Sequence, residues 1–290
     1  MVRDMMQRLR MTRLALLFVA GVCLSAAAPT PADGPVAPDN FNTAKALLDA
    51  LEEADRDIKT LTADIQYDKF FKLQGDKHRR KGRLFFRTAR TEDGVVDRAF
   101  EINFTSLLIG NRQENDPETW IFNGRWLVEM HPARKQFIKR EIAGADERFD
   151  PLSIGEGPMP IPIGQKADQV LARYDARLAP SDESFENDND HRARFVADTW
   201  QLVLTPRGGR NADEKFKEIR IWYSKSGEKR LLPRMARTLS RSGDISYVQL
   251  INIETNVELP PRAFDVSPPP PEENWSVQIE ALPEASRREP

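Results

Sequence analysis

The chain has 290 residues and is nearly neutral, with 43 Lys and Arg against 45 Asp and Glu, one Cys and three His. This balance excludes a nucleic-acid binder that works by bulk attraction to phosphates, because such a protein needs a marked basic excess. A single Cys excludes a disulfide framework and every cysteine-based zinc site. The histidines at positions 78, 131 and 191 share no metal-ligand spacing, so we expect neither a metal nor a cofactor.

Residues 1–27 have the pattern of a secretory signal peptide. An arginine-rich segment (Arg8 to Arg13) precedes an apolar run of 11 residues, and small residues lead to an expected cleavage after Ala27. The run is shorter than the ~20 residues of a membrane-spanning helix, and a retained anchor is the alternative. Cys23 does not follow a small residue, which disfavours lipidation. We therefore predict a periplasmic protein, whose mature chain would carry a charge of −5.

Proline-rich segments at both ends delimit one predicted domain. Residues 28–42 have the composition of a linker. Residues 268–290 open with four prolines and are typical of an extended tail, to which the alternation of Trp275, Val277 and Ile279 could add an edge strand. Residues 43–267 contain no comparable linker and no internal repeat, so we predict a single domain there.

The domain opens with a helix over residues 43–58, predicted from apolar residues at helical spacing behind an Asn42-Thr43 cap. Period-two alternation begins at Leu61 and recurs in about ten segments joined by hairpin-length turns. The basic run His78–Lys81 and His131 fall in two of these predicted turns. The pattern predicts an antiparallel meander.

An insertion over residues 143–194 interrupts the strands. It holds a Pro/Gly-rich apolar loop at 158–164, a short predicted helix over 166–177 and an acidic loop, Ser181 to Asp190. We predict an α+β fold: one curled antiparallel sheet of about ten strands, an incomplete β-barrel. The N-terminal helix and the helical insertion are expected to cover its concave face.

No catalytic motif is present in the sequence. There is no Gly-x-Ser-x-Gly elbow, phosphate loop or His-Glu-x-x-His pair, and we expect a protein without enzymatic activity. The acidic loop is expected to be solvated rather than to bind calcium. The basic run is expected to be a solvated turn rather than a contact for lipid headgroups. A hydrolase with scattered carboxylates is the remaining enzymatic alternative.

Large apolar residues alternate along the predicted strands. They either fill a core or line an apolar pocket, and periodicity does not separate these outcomes. No catalytic or metal-binding residues are proposed. The candidates for an apolar cavity are Tyr67, Phe71, Phe86, Phe100, Ile102, Phe104, Trp126, Val128, Met130, Trp200, Leu202 and Tyr223.

Three blocks of sequence carry a family resemblance. Ile121–Pro132 reads IFNGRWLVEMHP, Trp200–Arg207 reads WQLVLTPR, and a closing run extends from Phe216 to Asn252. In this order, behind a helix that leads into Leu61, they resemble the periplasmic outer-membrane lipoprotein carrier (LolA-like) family. The resemblance covers residues 43–268.

The resemblance implies a half-barrel that holds acyl chains on its concave face for transfer toward the outer membrane. The implied partners are the acyl chains of lipids or lipoproteins, together with partner proteins of the inner and outer membranes. No nucleic acid is expected, and we expect a monomer. The alternative is an envelope regulatory or protein-interaction module on the same fold, like a stress sensor and without enzymatic activity.

The lid of that family is held by an arginine near the second or third strand. Arg87, Arg90 and Arg98 fall near this position, and we choose Arg98, just before Phe100, as the lid-locking candidate.

Overall fold

The computed structural model describes residues 40–90, 96–144, 154, 163, 165–185, 191–208 and 215–282. The predicted leader, nearly all of the linker, most of the Pro/Gly-rich loop, residues 186–190 of the acidic loop and residues 283–290 lie outside this range. Among the described residues, no helix has the length and apolar character that crossing a membrane requires.

The predicted N-terminal helix is confirmed. Helix α1 spans Ala44–Ala54, and the Thr43 hydroxyl caps it by accepting a hydrogen bond from the Ala46 amide at 3.1 Å. A 3₁₀ turn over Asp55–Asp57 follows, so the helical segment ends where the first strand is about to begin. Two short helices, α2 (Ala167–Arg173) and α3 (His191–Phe195), lie later in the chain.

The described strands form one 13-stranded sheet in the order β13-β7-β6-β5-β3-β2-β1-β12-β11-β10-β9-β8, with β4 beside β3. The strands are β1 (Thr60–Phe70), β2 (Lys77–Arg90), β3 (Val96–Ile109), β4 (Arg112–Glu114), β5 (Glu118–Phe122), β6 (Trp126–His131), β7 (Gln136–Glu141), β8 (Tyr174–Ala179), β9 (Thr199–Pro206), β10 (Phe216–Ser224), β11 (Pro233–Ser240), β12 (Ile245–Thr255) and β13 (Ser276–Glu280). The described edge strands β13 and β8 do not pair with each other, so the sheet is open. The predicted α+β fold with one curled, incompletely closed sheet is confirmed.

Several local predictions were wrong. The described part of the sheet has 13 strands rather than about ten, because the three-residue β4 is too short to stand out, β8 lies partly in the segment predicted as a helix, and β13 was expected only as a possible addition. The helix predicted over residues 166–177 ends at Arg173, and Tyr174–Ala179 pairs with β9, whose hydrogen bonds override helix propensity.

The tail does add an edge strand, and β13 runs parallel to β7 while the other described strand pairs are antiparallel.

The two segments expected in turns belong to strands. His78–Lys81 lies within β2, where Arg79 pairs with Asp68 of β1, so a charged partner stabilises the basic run in extended form. His131 is the last residue of β6. It is buried, and its Nδ1 lies 2.9 Å from Nη2 of Arg134 in the 3₁₀ turn that follows.

Alternation along the strands divides the apolar residues between two faces. The inner face carries one core cluster on the central strands, joined by Ile58 after α1 and by Ile163 of the insertion. On the opposite, outer face, Ala99, Ile121, Val128 and Phe137 pack under Phe264 of the C-terminal segment. A second outer cluster packs Trp222, Met235 and Tyr247 against Val196, which follows α3.

Asp68 attaches α3 to the outer face. Its buried carboxylate accepts two hydrogen bonds from Arg79, at 2.7 and 2.9 Å, and one at 2.8 Å from Arg192 of α3. The Arg192 guanidinium also lies 4.4 Å from the ring centre of Tyr247. Burial acts to raise the pKa of Asp68, but the bonds and charge of Arg79, with Lys77 and Arg192, hold that pKa below its usual value.

We predict that Asp68→Asn destabilises the protein by about 3–5 kcal/mol at pH 7, because it leaves the buried Arg192 and the partly buried Arg79 without their anion. Because the pKa of Asp68 is lower in the folded protein than in the unfolded chain, its ionised form stabilises the fold at pH values above the unfolded pKa. This stability is lost as the pH falls through the folded pKa. The gap between the wild type and the variant should therefore narrow below about pH 4. Urea unfolding at pH 7 and pH 3 measures the difference in unfolding free energy between the wild type and the variant. A difference that is the same at both pH values would contradict a stabilising role for the Asp68 carboxylate.

Gly82 is fixed by close backbone packing at a bulge between β2 and β3. A Cβ atom at this position would lie 2.0 Å from the carbonyl oxygen of Asn103. We predict that Gly82→Ala lowers the free energy of unfolding by about 2 kcal/mol or more, because the strands must separate. Gly208→Ala, where a Cβ meets nothing within 4 Å, is the matched control and should change stability by less than about 0.5 kcal/mol. Equal effects in urea unfolding would show that the backbone contact is not limiting.

Candidate functional site

The inner face brings together most of the predicted cavity residues. Phe86 pairs with Phe100 across β2 and β3, and Tyr223 pairs with Trp200 across β9 and β10. The predicted residues on this face are Tyr67, Phe86, Phe100, Ile102, Phe104, Trp200, Leu202 and Tyr223. This apolar surface therefore extends from β3 across the centre of the sheet to β9.

The remaining predicted residues lie elsewhere. Trp126, Val128 and Met130 are on the outer face, because it is Leu127 that pairs with Phe122 and packs on the inner cluster. Phe71 lies just beyond the end of β1, with its ring centre 4.8 Å from that of His78. The predicted set is thus divided between the two faces and does not form one site.

Aromatic rings form a row along the inner face. The ring centres of Tyr67 and Phe104 are 6.4 Å apart, and Phe104 meets Trp120 edge to face at 6.1 Å. Phe100 and Phe122 lie 5.9 Å apart in the neighbouring row. Trp120 and Phe122 were not among the predicted residues, although both alternate along β5 in register with Ile102 and Phe100.

The central residues of this face are at most 2% exposed, as measured for Phe86, Phe100, Ile102 and Phe104. Solvent therefore barely reaches them, and in this conformation they form a packed core rather than the wall of an open cavity. A ligand could reach these side chains only if the elements that cover them move.

A partly buried ion pair closes one end of the aromatic row. Glu118 accepts a hydrogen bond from Trp120 Nε1 at 2.6 Å and lies 3.0 Å from Nη2 of Arg80. Arg80 also donates to the backbone oxygen of Asp116 at 2.8 Å and to its carboxylate at 3.0 Å. The sequence identified neither residue of this pair. Arg80 was missed because the basic run that contains it was placed in a turn.

The cover of the inner face comes from separate parts of the chain. Helix α1 buries Leu47, Leu48 and Leu51, and Phe41 just before it meets Trp200 edge to face at 4.8 Å. Tyr223 lies on the inner face beside Trp200, and burial raises the pKa of its hydroxyl well above its usual value. The charge of Asp55, in the 3₁₀ turn after α1, adds to this shift.

The insertion supplies the rest of the described cover. Ile163 is buried in the inner cluster, and the backbone oxygen of Ile154 accepts a hydrogen bond from the Tyr174 hydroxyl at 3.0 Å. The start of α2 is joined to α1, because the amide of Ala167 donates to Glu52 at 3.0 Å. The insertion and α1 are therefore linked to each other as well as to the sheet.

Trp200 carries a buried donor without an acceptor. Its indole Nε1 is shielded from solvent and makes no hydrogen bond with any described residue, while the Arg230 guanidinium lies 5.1 Å from its ring centre. A buried unsatisfied N–H costs about 1–3 kcal/mol, and such groups in native proteins call for an explanation. A carbonyl or carboxylate oxygen of a ligand would satisfy this donor.

Arg98, the lid-locking candidate, lies in β3 two residues before Phe100. By strand alternation it is therefore on the inner face. Its Nε is buried, which is consistent with a side chain directed away from solvent. Its role as a lid lock stays a prediction. Within the described part of the chain, no group of three or more His, Cys, Asp and Glu side chains could hold a metal.

No protein-family model and no curated protein matches this chain. Among solved structures, the chain is similar to an uncharacterized conserved protein from Thermus thermophilus, with 10% identity and a TM-score of 0.41, covering 82% of this chain and 99% of that one. It is also similar to the LolA superfamily protein NE2245 from Nitrosomonas europaea, with 12% identity and a TM-score of 0.32, covering 77% and 98%. A third match is the Pseudomonas aeruginosa MucA/MucB complex, with 16% identity and a TM-score of 0.37, covering 75% and 59%.

A LolA superfamily protein is thus among the structures that the chain matches, as the sequence resemblance led us to expect. The identities lie below 25% and the TM-scores below 0.5. The functional proposal below therefore rests on contacts within this chain.

The unsatisfied donor of Trp200 leads to a paired prediction. Trp200→Phe and Trp222→Phe make the same change of side chain at two buried positions. Trp222 Nε1 donates to the Ser181 backbone oxygen at 2.8 Å, whereas Trp200 Nε1 has no acceptor among the described residues. We predict that Trp222→Phe costs about 1–3 kcal/mol more in unfolding free energy than Trp200→Phe, because Trp222→Phe removes a hydrogen bond whereas Trp200→Phe removes a buried donor that has no acceptor in the described part of the chain. Urea unfolding of the ligand-free protein measures the difference, and equal costs would mean that Trp200 Nε1 has an acceptor.

Proposed function

We propose that this chain is a periplasmic binder or carrier that holds the acyl chain of a lipid or lipoprotein on its inner face, for transfer toward the outer membrane, without enzymatic activity. The observation that carries the proposal is the aromatic and aliphatic inner face from β3 to β9. Its described cover consists of pieces from α1 and the insertion rather than a second sheet. The predicted leader supports the location.

Binding under this proposal exchanges one apolar cover for another. Burying an isoleucine side chain is worth about 1.5–3 kcal/mol, and each acyl methylene about 0.8 kcal/mol. About four to eight buried methylenes therefore offset the displacement of both Ile154 and Ile163. In the empty protein the cover keeps the inner face out of water, which prevents an exposed apolar patch from aggregating.

The unsatisfied N–H of Trp200 gives the ligand a polar anchor beneath α1. An ester or carboxylate oxygen that accepts from Nε1 would remove the cost of the unsatisfied donor. Arg230, whose guanidinium lies over the rings of both Phe41 and Trp200, would stabilise negative charge at the same position. The head of the chain would then lie near α1 and its methylenes along the aromatic row.

A second candidate is an envelope regulatory module that binds a protein through the sheet edge. The exposed edge strand β13 favours it, because Val277 and Ile279 lie on one side of that strand and are 44% and 55% exposed. Under this candidate, Val277→Thr with Ile279→Thr would abolish binding of a protein partner and leave acyl-chain binding unchanged. Under the carrier proposal, neither substitution affects loading of the inner face.

The cover provides the direct test of acyl-chain binding. Ile163→Ala weakens the closed state, because an Ile→Ala change in a core costs about 2–5 kcal/mol, and a ligand that binds the open state then binds more tightly. We expect the Kd for a fluorescent fatty acid such as cis-parinaric acid to fall by about tenfold or more. Titration at constant protein concentration measures this Kd.

Leu73→Ala, at a residue 87% exposed, is the control and should leave the Kd unchanged. A fall in Kd for Ile163→Ala alone supports displacement of the cover. Failure of the wild type and of Ile163→Ala to bind the probe would overturn the carrier proposal. An unchanged or weaker affinity in Ile163→Ala would show that this residue does not compete with the ligand.

A further inference from the structure

The sheet contains a gap between β11 and β12. Their pairing stops at Met235 opposite Gln249, although β12 continues to Thr255 and remains paired with β1 as far as Leu61. The β10–β11 turn folds back on β10 instead. The Leu231 amide donates to the Ser224 oxygen at 2.9 Å, and Leu231 has a φ of 69°. The edge of β12 beyond Gln249 therefore faces a notch instead of a neighbouring strand.

This notch is a cavity of about 540 Å³, within the range of small-molecule sites in proteins. On one side it is lined by Leu232, Leu250 and Ile253, which belong to the core cluster of the inner face. On the other side it is lined by Phe195 of α3 and by Ile251, which is 39% exposed. An apolar path therefore leads from the surface to the inner-face core.

The polar rim of the notch has balanced charge. Lys229 and Arg234 are opposed by Asp198 and Glu228, with Ser226 and Asn252 between them. Arg234 lies 4.5 Å from the ring centre of Phe195, and the Ser226 hydroxyl donates to Asp198. A rim with equal positive and negative charge does not select an ionic headgroup, so the apolar walls determine what binds.

We propose that the notch is the entry site at which a single acyl chain inserts, tip first, before it spreads over the inner face. This inference rests on the proposed function and adds the route. The occupant is a single acyl chain because apolar residues line the path from its outer end at Ile251 to the core residues at its inner end. The core residues at its inner end are those that the cover must release.

Recognition by apolar walls has a measurable consequence. Affinity for saturated single-chain ligands should rise by a factor of about four per added methylene, until the chain exceeds the available length. Replacing a fatty acid by a lysophosphatidylcholine of equal chain length should change the association rate by less than about threefold, because the charges of the rim that the chain passes cancel. The equilibrium affinities of the same two ligands separate the sources of the chain: tighter binding of the fatty acid would indicate a free fatty acid, and tighter binding of the lysophosphatidylcholine would indicate a phospholipid.

The route is tested by blocking it. Ile251→Trp places a large ring at the outer end of the notch on a residue that is already exposed, and Lys229→Trp does so from the opposite wall. Val277→Trp, at a similarly exposed position on β13, is the matched control. Stopped-flow mixing of the full-length protein with cis-parinaric acid gives the association rate for each variant, and thermal melting reports folding.

We expect association to slow at least tenfold in Ile251→Trp and Lys229→Trp, and to stay at the wild-type rate in Val277→Trp. Wild-type association rates in both notch variants, with folded proteins, would overturn the entry route while leaving acyl-chain binding on the inner face intact. A wild type that binds neither ligand would instead overturn the proposed function and the route with it. If one notch variant does not fold, the other decides.

Discussion

The inner face of the sheet must be kept out of water, and the rest of the structure follows from that requirement. An open sheet whose edge strands do not pair cannot bury this face against itself as a closed barrel would. The chain solves the problem with α1 and with isoleucines from the insertion, so the cover is assembled from distant parts of the sequence.

The two faces are covered in physically different ways. On the outer face, α3 is tied down by the buried Asp68 with Arg192, and the C-terminal segment by a bond of 2.9 Å from the Phe264 amide to Glu101. These are charge-assisted bonds, which are stronger than neutral ones. Among the described residues, apolar packing and the bond from Tyr174 to the Ile154 oxygen hold the inner cover to the sheet, while the bond from the Ala167 amide to Glu52 joins two parts of the cover to each other. Apolar contacts are non-directional, so another apolar group can replace them, which is the property that a displaceable cover requires.

The sequence predicted the class of fold because alternation is a local property. Phe100, Ile102 and Phe104 alternate with polar neighbours, so they were correctly expected to share a face, and the Thr43 cap marked the first helix. Which face a residue occupies depends on the register between strands. Leu127 rather than Trp126 lies on the inner face, because Leu127 pairs with Phe122 of the preceding strand. The same applies to the basic run, which is stable in β2 only because Asp68 lies opposite Arg79. The unsatisfied Trp200 donor and the notch beside Ile251 arise from contacts between distant segments, and no local pattern could have indicated them.

Native mass spectrometry of the protein purified from its own cell envelope tests most directly whether the inner face holds acyl chains. We predict a bound species with the mass of one lipid or one lipid-modified protein per chain, released by collisional activation without unfolding, since apolar binding under a cover traps the ligand. A protein that is recovered free of any lipid, and that stays free after incubation with detergent-solubilised envelope lipids, would contradict the proposal. The inner face would then be a core and nothing more.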